Sequence, residues 1–229
     1  MALQKTAAKI PSYRNRLSYH SMLLGGIGFL SGAALVIAHV ETRGAIEHAL
    51  AEEQRASLVQ VIPVQHYEGN LLAEQLPITL ETGETKTVFI ARKDGMVMAA
   101  AFEVSEPGYS GDIRVIMGVD KNGEILGVRT LSHTETPGLG DKIELARNDW
   151  VLSFNGKSVN NPDDAGWALQ KDGGIFDQFT GATITPRAYV KAVKGGLDFF
   201  EQHKVQIIEK PMPEPVEVEP EPVPVKPKR

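Results

Sequence analysis

The sequence contains no cysteine. This absence excludes disulfide bonds, thiolate-held iron–sulfur clusters, c-type haem attachment and catalysis by a cysteine nucleophile. A redox role would therefore depend on an organic cofactor or on a metal held by histidines. We expect no metal site, because no close ligand spacing such as H-x-x-x-H occurs among the six histidines, His20, His39, His48, His66, His133 and His203.

The chain also lacks a surplus of positive charge. Its formal net charge is −5 over 229 residues. A protein that binds nucleic acid needs a basic face to neutralise phosphates. We therefore expect no nucleic-acid partner.

A long uncharged run stands near the N-terminus. Residues 22–40 carry no formal charge and are rich in Leu, Ile, Val, Ala and Gly. Such a run is long enough for one membrane-spanning helix, whereas the apolar core of a cleaved signal peptide is usually shorter. Four basic residues and no acid precede it, which places residues 1–21 in the cytoplasm. We predict a single-pass anchor in the inner membrane, with the main domain in the periplasm.

The anchor contains four glycines, two of which, Gly28 and Gly32, are four residues apart. This spacing allows close packing between helices in lipid. A glycine-rich apolar helix without a partner explains the pattern equally well.

Three further regions follow the anchor. Residues 41–62 have apolar residues at helical spacing and predict a juxtamembrane helix that ends near Val61. Residues 63–207 have the composition of a folded domain. Residues 208–229 are rich in Pro and Glu and predict an extended, disordered tail.

Two β-hairpins are predicted at the centre of the domain. Residues 87–92 and 96–104 flank Lys93-Asp94-Gly95, and residues 113–119 and 124–131 flank a turn that contains Asn122-Gly123. Asn-Gly favours a two-residue turn with positive φ angles. An antiparallel sheet of two hairpins with helices before and after it gives an α+β fold.

A polar loop with Pro and Gly, residues 132–141, follows the last predicted strand, and a short helix is predicted over residues 142–147. His133 and Glu135 lie two residues apart in this loop. Two interpretations stay open here, an acid/base pair and a structural hydrogen bond.

The segment Asp177-Gln178-Phe179-Thr180-Gly181-Ala182-Thr183 precedes the last predicted helix. Thr185 and Pro186 are typical of an N-cap and a first helical position. The helix is predicted over residues 186–203, with a buried stripe at Val190, Val193, Leu197 and Phe200. Thr183 would then lie close to a helix N-terminus, where a phosphate is favoured. A loop of small residues that only caps the helix is the alternative.

The pattern Asp-x-x-Thr-Gly-Ala-Thr is similar to the acceptor motif of flavin transferases, which move FMN from FAD onto the last Thr. The chain resembles the G subunit of the Rnf ion-translocating electron-transport complex and, more distantly, the C subunit of the sodium-translocating NADH:quinone reductase. The resemblance implies covalent FMN on Thr183, with Asp177, Thr180, Gly181 and Ala182 as its recognition context. It also implies that the loop around Glu-Thr-Pro-Gly-Leu-Gly lies near the flavin, with candidate contacts from His133, Glu135, Thr136, Gly138, Leu139 and Gly140. Backbone N–H groups of Thr136, Gly138 and Gly140 are candidate donors to the ring.

The function that the resemblance implies is electron transfer within a membrane complex. Such a chain is an electron carrier, not a stand-alone enzyme, and its partners are the other membrane subunits and a flavin transferase. In the family, the complex couples electron transfer between ferredoxin and NAD to ion transport. Two alternatives remain, namely the C subunit of the quinone reductase and an anchored periplasmic binding or structural module without cofactor.

Overall fold

The computed structural model describes residues 17–209. Most of the predicted cytoplasmic segment, residues 1–16, and nearly all of the predicted tail, residues 210–229, lie outside this range. The chain divides into two units at Glu52–Glu53.

Helix α1 runs from Leu17 to Val61 without interruption, so one helix covers both the predicted anchor and the predicted juxtamembrane segment. In the first unit, large apolar side chains from Met22 to Val40 are exposed. The helix is long and apolar enough to cross a membrane.

The second unit is built on a five-stranded antiparallel sheet. Its strands pair in chain order: β1 (Gln75–Thr79), β2 (Thr85–Lys93), β3 (Met96–Pro107), β4 (Asp112–Asp120) and β5 (Ile125–Ser132). The two predicted hairpins are β2–β3 and β4–β5, and the α+β fold is confirmed. Strand β1 was not predicted, because its five residues include a proline.

The two hairpin turns differ from the expectation. In the first, Asp94 and Gly95 both have positive φ, as a two-residue turn requires. In the second, only Gly123 has positive φ, and the two-residue Asn-Gly turn predicted there is wrong. The side chain of Asp120 accepts hydrogen bonds from the N–H groups of Asn122 and Glu124, each at 2.8 Å, and so closes a longer loop.

Both faces of the sheet are covered. On one face, Phe102, Val115 and Met117 pack in a core shared with helix α2 (Ile184–Ile208). On the other face, Ile116 packs with Leu58, in the last turn of α1, and with Ile62, just beyond its end. The alternation in β4 is broken at Ile116 because this second face is also buried.

Between β5 and α2 the chain forms short 3-10 turns: Asp141–Ile143, Asp149–Phe154, Asp164–Gly166 and Gln170–Asp172. The helix predicted over residues 142–147 is wrong, because the helical turn ends at Ile143. Helix α2 begins two residues earlier than predicted and ends five residues later. Its N-cap is Thr183, not Thr185, and Pro186 lies within the first turn, where no intrahelical donor is required.

The stripe predicted on α2 is buried, with Val190, Val193, Leu197 and Phe200 all in the core. Gly196 allows the helix to approach the sheet closely. A Cβ added there would stand 2.2 Å from Met117 Sδ and 2.9 Å from Val104 Cγ1. Gly195 faces open space.

Candidate functional site

A cavity of about 280 Å³ opens beside the N-terminus of α2. Three segments form it: the β3–β4 turn, the loop that follows β5, and the approach to α2. The lining residues are Tyr109, Glu135, Thr136, Leu139, Gly140, Gly181, Ala182, Thr183, Ile184 and Thr185.

A tight turn leads into this cavity. The Ala182 N–H donates to the Phe179 carbonyl at 3.3 Å, and Gly181 has a φ of 83°. A positive φ at the third position of a turn favours glycine. Gly181 also stands close to the opposite wall, since a Cβ added there would be 3.2 Å from Leu139 Cδ2.

Buried aromatic residues anchor the turn to the domain. The Trp150 indole N–H donates to the Asp177 carbonyl at 3.0 Å. The rings of Trp150 and Phe179 meet edge to face, with centroids 5.0 Å apart. The side chains of Asp177 and Thr180 do not line the cavity.

Thr183 is the N-cap of α2, and its side chain is partly exposed. Its hydroxyl makes no capping hydrogen bond, although the N-cap position favours one. The helix N-terminus next to it presents backbone N–H groups and the positive end of the helix dipole. A phosphate attached at this hydroxyl would therefore lie in a favourable field.

The opposite wall is a Pro-Gly turn. Gly138 has a φ of 77°, and the Leu139 and Gly140 N–H groups both donate to the Thr136 carbonyl, at 3.1 and 3.0 Å. The Gly140 N–H, a predicted donor to the ring, is therefore engaged within the loop in this structure. Gly138 lies outside the cavity lining.

Both ring nitrogens of His133 have structural partners. The Glu135 N–H donates to His133 Nδ1 at 3.1 Å, and His133 Nε2 lies 2.7 Å from Glu144 Oε1. Because Nδ1 accepts, Nε2 carries the ring proton and donates to Glu144. The contact between His133 and Glu135 is thus a structural hydrogen bond, and His133 does not line the cavity.

Seven of the predicted site residues line the cavity: Glu135, Thr136, Leu139, Gly140, Gly181, Ala182 and Thr183. Asp177, Thr180, His133 and Gly138 do not. Sequence reasoning missed Tyr109, Ile184 and Thr185 as lining residues. Within residues 17–209, no group of three or more His, Asp or Glu side chains is arranged to hold a metal ion.

Residues 108–198 match the FMN-binding domain family. The G subunit of an ion-translocating oxidoreductase complex from Cereibacter sphaeroides is 44% identical over 192 residues, covering 84% of this chain and 87% of that protein. The G subunit from Shewanella oneidensis is 43% identical over 203 residues, covering 86% and 96%. The chain belongs to this G-subunit family.

The G subunit from Haemophilus influenzae strain PittEE is 44% identical over 179 residues, covering 77% of this chain and 86% of that protein. The FMN-binding match extends from the β3–β4 turn into α2, so it includes every lining residue of the cavity in this member of the G-subunit family.

Two solved structures are also similar to this chain. NqrC from Shewanella oneidensis has a TM-score of 0.44 at 21% identity and covers 67% of this chain and 74% of its own. The C subunit of the sodium-translocating NADH-quinone reductase from Parabacteroides distasonis has the same score and identity and covers 60% and 71%.

Proposed function

We propose that this chain is a membrane-anchored electron-transfer subunit that carries FMN covalently on Thr183, through a phosphodiester bond. Membership of the G-subunit family and the FMN-binding match support FMN as the cofactor and an ion-translocating complex as the assembly. The single observation that carries the attachment site is that Thr183 lines the cavity and its side chain makes no capping bond.

The local backbone fits a phosphodiester at this position. Gly181 and Ala182 precede Thr183 and leave little side-chain bulk around the hydroxyl. The first turn of α2 presents N–H groups whose partial positive charge stabilises a phosphate anion. The N–H of Arg187 already lies 3.4 Å from the Thr183 carbonyl, so the turn is formed without help from the Thr183 side chain.

The cavity itself fits only part of a flavin. Its volume of about 280 Å³ lies just below the range for small-molecule sites, about 300 to 1,000 Å³. Three exposed apolar side chains stand at its mouth, Tyr109, Leu139 and Ile184. A ring system tethered at Thr183 would remain partly open to other subunits, as an electron carrier requires.

The attachment reaction that we propose is a phosphoryl transfer from FAD. Thr183 Oγ1 forms a bond to the phosphorus of the FMN half of FAD, and the bond from that phosphorus to the bridging oxygen breaks. AMP leaves with that oxygen, and the hydroxyl proton passes to a base of the flavin transferase. FMN, when bound, supplies one- and two-electron redox chemistry.

The anchored arrangement completes the proposal. Helix α1 would span the inner membrane once, with the N-terminus in the cytoplasm and the domain in the periplasm. A covalent bond would keep the cofactor in a compartment that has no pool of it. The complex would couple electron transfer between ferredoxin and NAD to ion translocation, with the other membrane subunits as partners.

The test is the intact mass of the denatured protein after co-expression with its flavin transferase. Thr183→Val keeps the shape of the side chain and removes the hydroxyl, whereas Thr183→Ser keeps the hydroxyl. We expect wild type and Thr183→Ser to be heavier by FMN less one water, with flavin fluorescence that survives denaturation. The added mass should lie on the tryptic peptide that spans residues 172–187.

Thr183→Val should show neither the added mass nor the fluorescence. An unmodified wild type beside a transferase that modifies another acceptor would overturn the proposal. The cofactor-free anchored module would then take its place.

A further inference from the structure

Glu135 joins the three segments that form the cavity. Its carboxylate is buried, with 4% of the residue exposed. Oε1 accepts from the N–H groups of Tyr109 and Ser110 in the β3–β4 turn, at 2.8 and 3.1 Å. Oε2 accepts from the Thr185 hydroxyl in the first turn of α2. One side chain therefore holds the turn, the loop and the helix together.

The hydrogen bond to Glu135 also makes the Thr185 hydroxyl a donor that is buried and already engaged. Thr185 is 1% exposed, and its hydroxyl donates to the carboxylate. Thr183 lies only two residues away, yet its side chain is partly exposed and makes no capping bond. Two chemically identical hydroxyls at the start of α2 are thus distinguished by burial and by hydrogen bonding.

The loop and the helix meet too closely at this point for another side chain to intervene. A Cβ added at Gly140 would stand 2.8 Å from Glu135 Cβ and 2.9 Å from Thr185 Oγ1. Distances below 3.0 Å require the neighbours to move. The contact between Glu135 and Thr185 therefore depends on a glycine at position 140, and all three residues form one fixed junction.

We propose that Glu135 and Thr185 are positioning residues, which fix the first turn of α2 so that Thr183, and not Thr185, is presented as the flavin acceptor. This inference rests on the proposed function. The hydrogen bonds of these two side chains go to each other and to the β3–β4 turn, not to the Thr183 hydroxyl. Their hydrogen bond holds the backbone that carries the Thr183 hydroxyl, and a displacement of about 1 Å in such a group can slow a reaction about 100-fold.

The first variant is Thr185→Val, which removes the hydroxyl and keeps the side-chain shape. Thr185→Ser restores the hydroxyl and is the matched rescue. Thr130→Val is the structural control, because the Thr130 hydroxyl donates to the Ile143 carbonyl at 2.7 Å and does not line the cavity. The Thr130 hydroxyl also lies 3.5 Å from the Tyr189 hydroxyl. Thr130→Val therefore removes the hydrogen bonds of one threonine hydroxyl, as Thr185→Val does, but away from the acceptor.

The measurement is the rate of FMN transfer to each full-length, detergent-solubilised variant by the purified transferase with FAD, as a function of acceptor concentration. Urea unfolding of each variant is followed in parallel. We expect Thr185→Val to lower kcat about 10- to 100-fold with little change in KM for the acceptor. Thr185→Ser and Thr130→Val should retain the kcat of wild type.

Other results would contradict the positioning role of Glu135 and Thr185. If Thr185→Val transfers FMN at the wild-type rate, the positioning role is wrong and the proposed function stands. The positioning role is equally wrong if Thr130→Val loses as much kcat as Thr185→Val at a similar loss of stability. If Thr185→Val does not fold, Glu135→Gln replaces it, with the same expected fall in kcat. A wild type that accepts no FMN would overturn both the proposed function and this inference.

Discussion

The indole nitrogen of Trp150 donates a hydrogen bond to the backbone carbonyl of Asp177, at 3.0 Å. Trp150 lies in a 3-10 turn, and Asp177 opens the segment that leads to the proposed acceptor. A buried donor therefore fixes one end of that segment, while Phe179 fixes the next part by packing against the same indole ring.

We predict that Trp150→Phe lowers the free energy of unfolding by about 1–3 kcal/mol, since it leaves a carbonyl without its donor. Trp167→Phe is the matched control, because the buried Trp167 indole nitrogen has no hydrogen-bond partner among the described residues. Both indoles belong to one aromatic core. Urea unfolding of the two variants measures the difference. Equal losses would mean that ring volume, not the hydrogen bond, accounts for the effect.

The paired glycines of α2 give a second prediction. Gly196→Ala should destabilise the protein by about 1–3 kcal/mol, because its Cβ would press on Met117 and Val104. Gly195→Ala meets open space and should stabilise the helix by up to about 1 kcal/mol. Thermal unfolding should therefore shift in opposite directions. A shift of the same sign in both variants would contradict the close approach at Gly196.

A third prediction concerns Tyr189. Burial raises the pKa of its phenol, and the Thr130 hydroxyl and Arg129 oppose that shift only in part. Tyr189 therefore keeps its proton in the folded state, while in the unfolded chain it ionises near pH 10. Its contribution to stability is complete below pH 10 and is lost as the pH rises above that value.

The measurement is the free energy of unfolding of wild type and Tyr189→Phe between neutral pH and pH 11. Above pH 10 the wild-type value should fall more steeply than that of the variant, with an extra slope that rises towards about 1.4 kcal/mol per pH unit. Parallel curves would show that Tyr189 ionises in the folded protein.

The fourth prediction uses the absence of cysteine, which makes any introduced thiol the sole label site. Lys121→Cys lies in the exposed β4–β5 loop, and Ala7→Cys lies before the span. If the domain is periplasmic, a membrane-impermeant maleimide should label Lys121→Cys in intact spheroplasts. Ala7→Cys should react only after permeabilisation. The reverse pattern would place the domain in the cytoplasm.

Local signals in the sequence were enough to predict much of the sheet. Turn residues between apolar runs predict two hairpins because a hairpin is decided by neighbours in the chain. Strand β1 was missed because Pro77 weakens its strand pattern. The strand is formed by its pairing with β2, which the β1 segment alone does not indicate. The close packing at Gly196 could not be predicted either, because the atoms that require it belong to β3 and β4.

In the site too, local sequence predicted some residues, and contacts between distant parts of the chain decide the others. Two parts of the site were predicted from short continuous segments. The motif that ends at Thr183 has seven consecutive residues, and the loop 135–140 has six. Thr185 was expected to be an N-cap because Pro186 follows it. Its actual partner, Glu135, is 50 residues away in the chain, so no local pattern could indicate it. Tyr109 joins the cavity from the β3–β4 turn, and no feature of its own sequence neighbourhood indicates this.

The order of the elements along the chain bears on how the protein matures. All five strands are complete by Ser132, and each pairs with its neighbour in sequence, so the sheet can form before the rest of the domain. The acceptor segment and α2 come last, and the junction at Glu135 closes only when α2 docks. In the proposed carrier, a chain whose sheet has formed but whose α2 has not docked would contain the full motif. Its Thr183 would not yet be held in position for the transferase. Attachment of the flavin would then report that folding has finished.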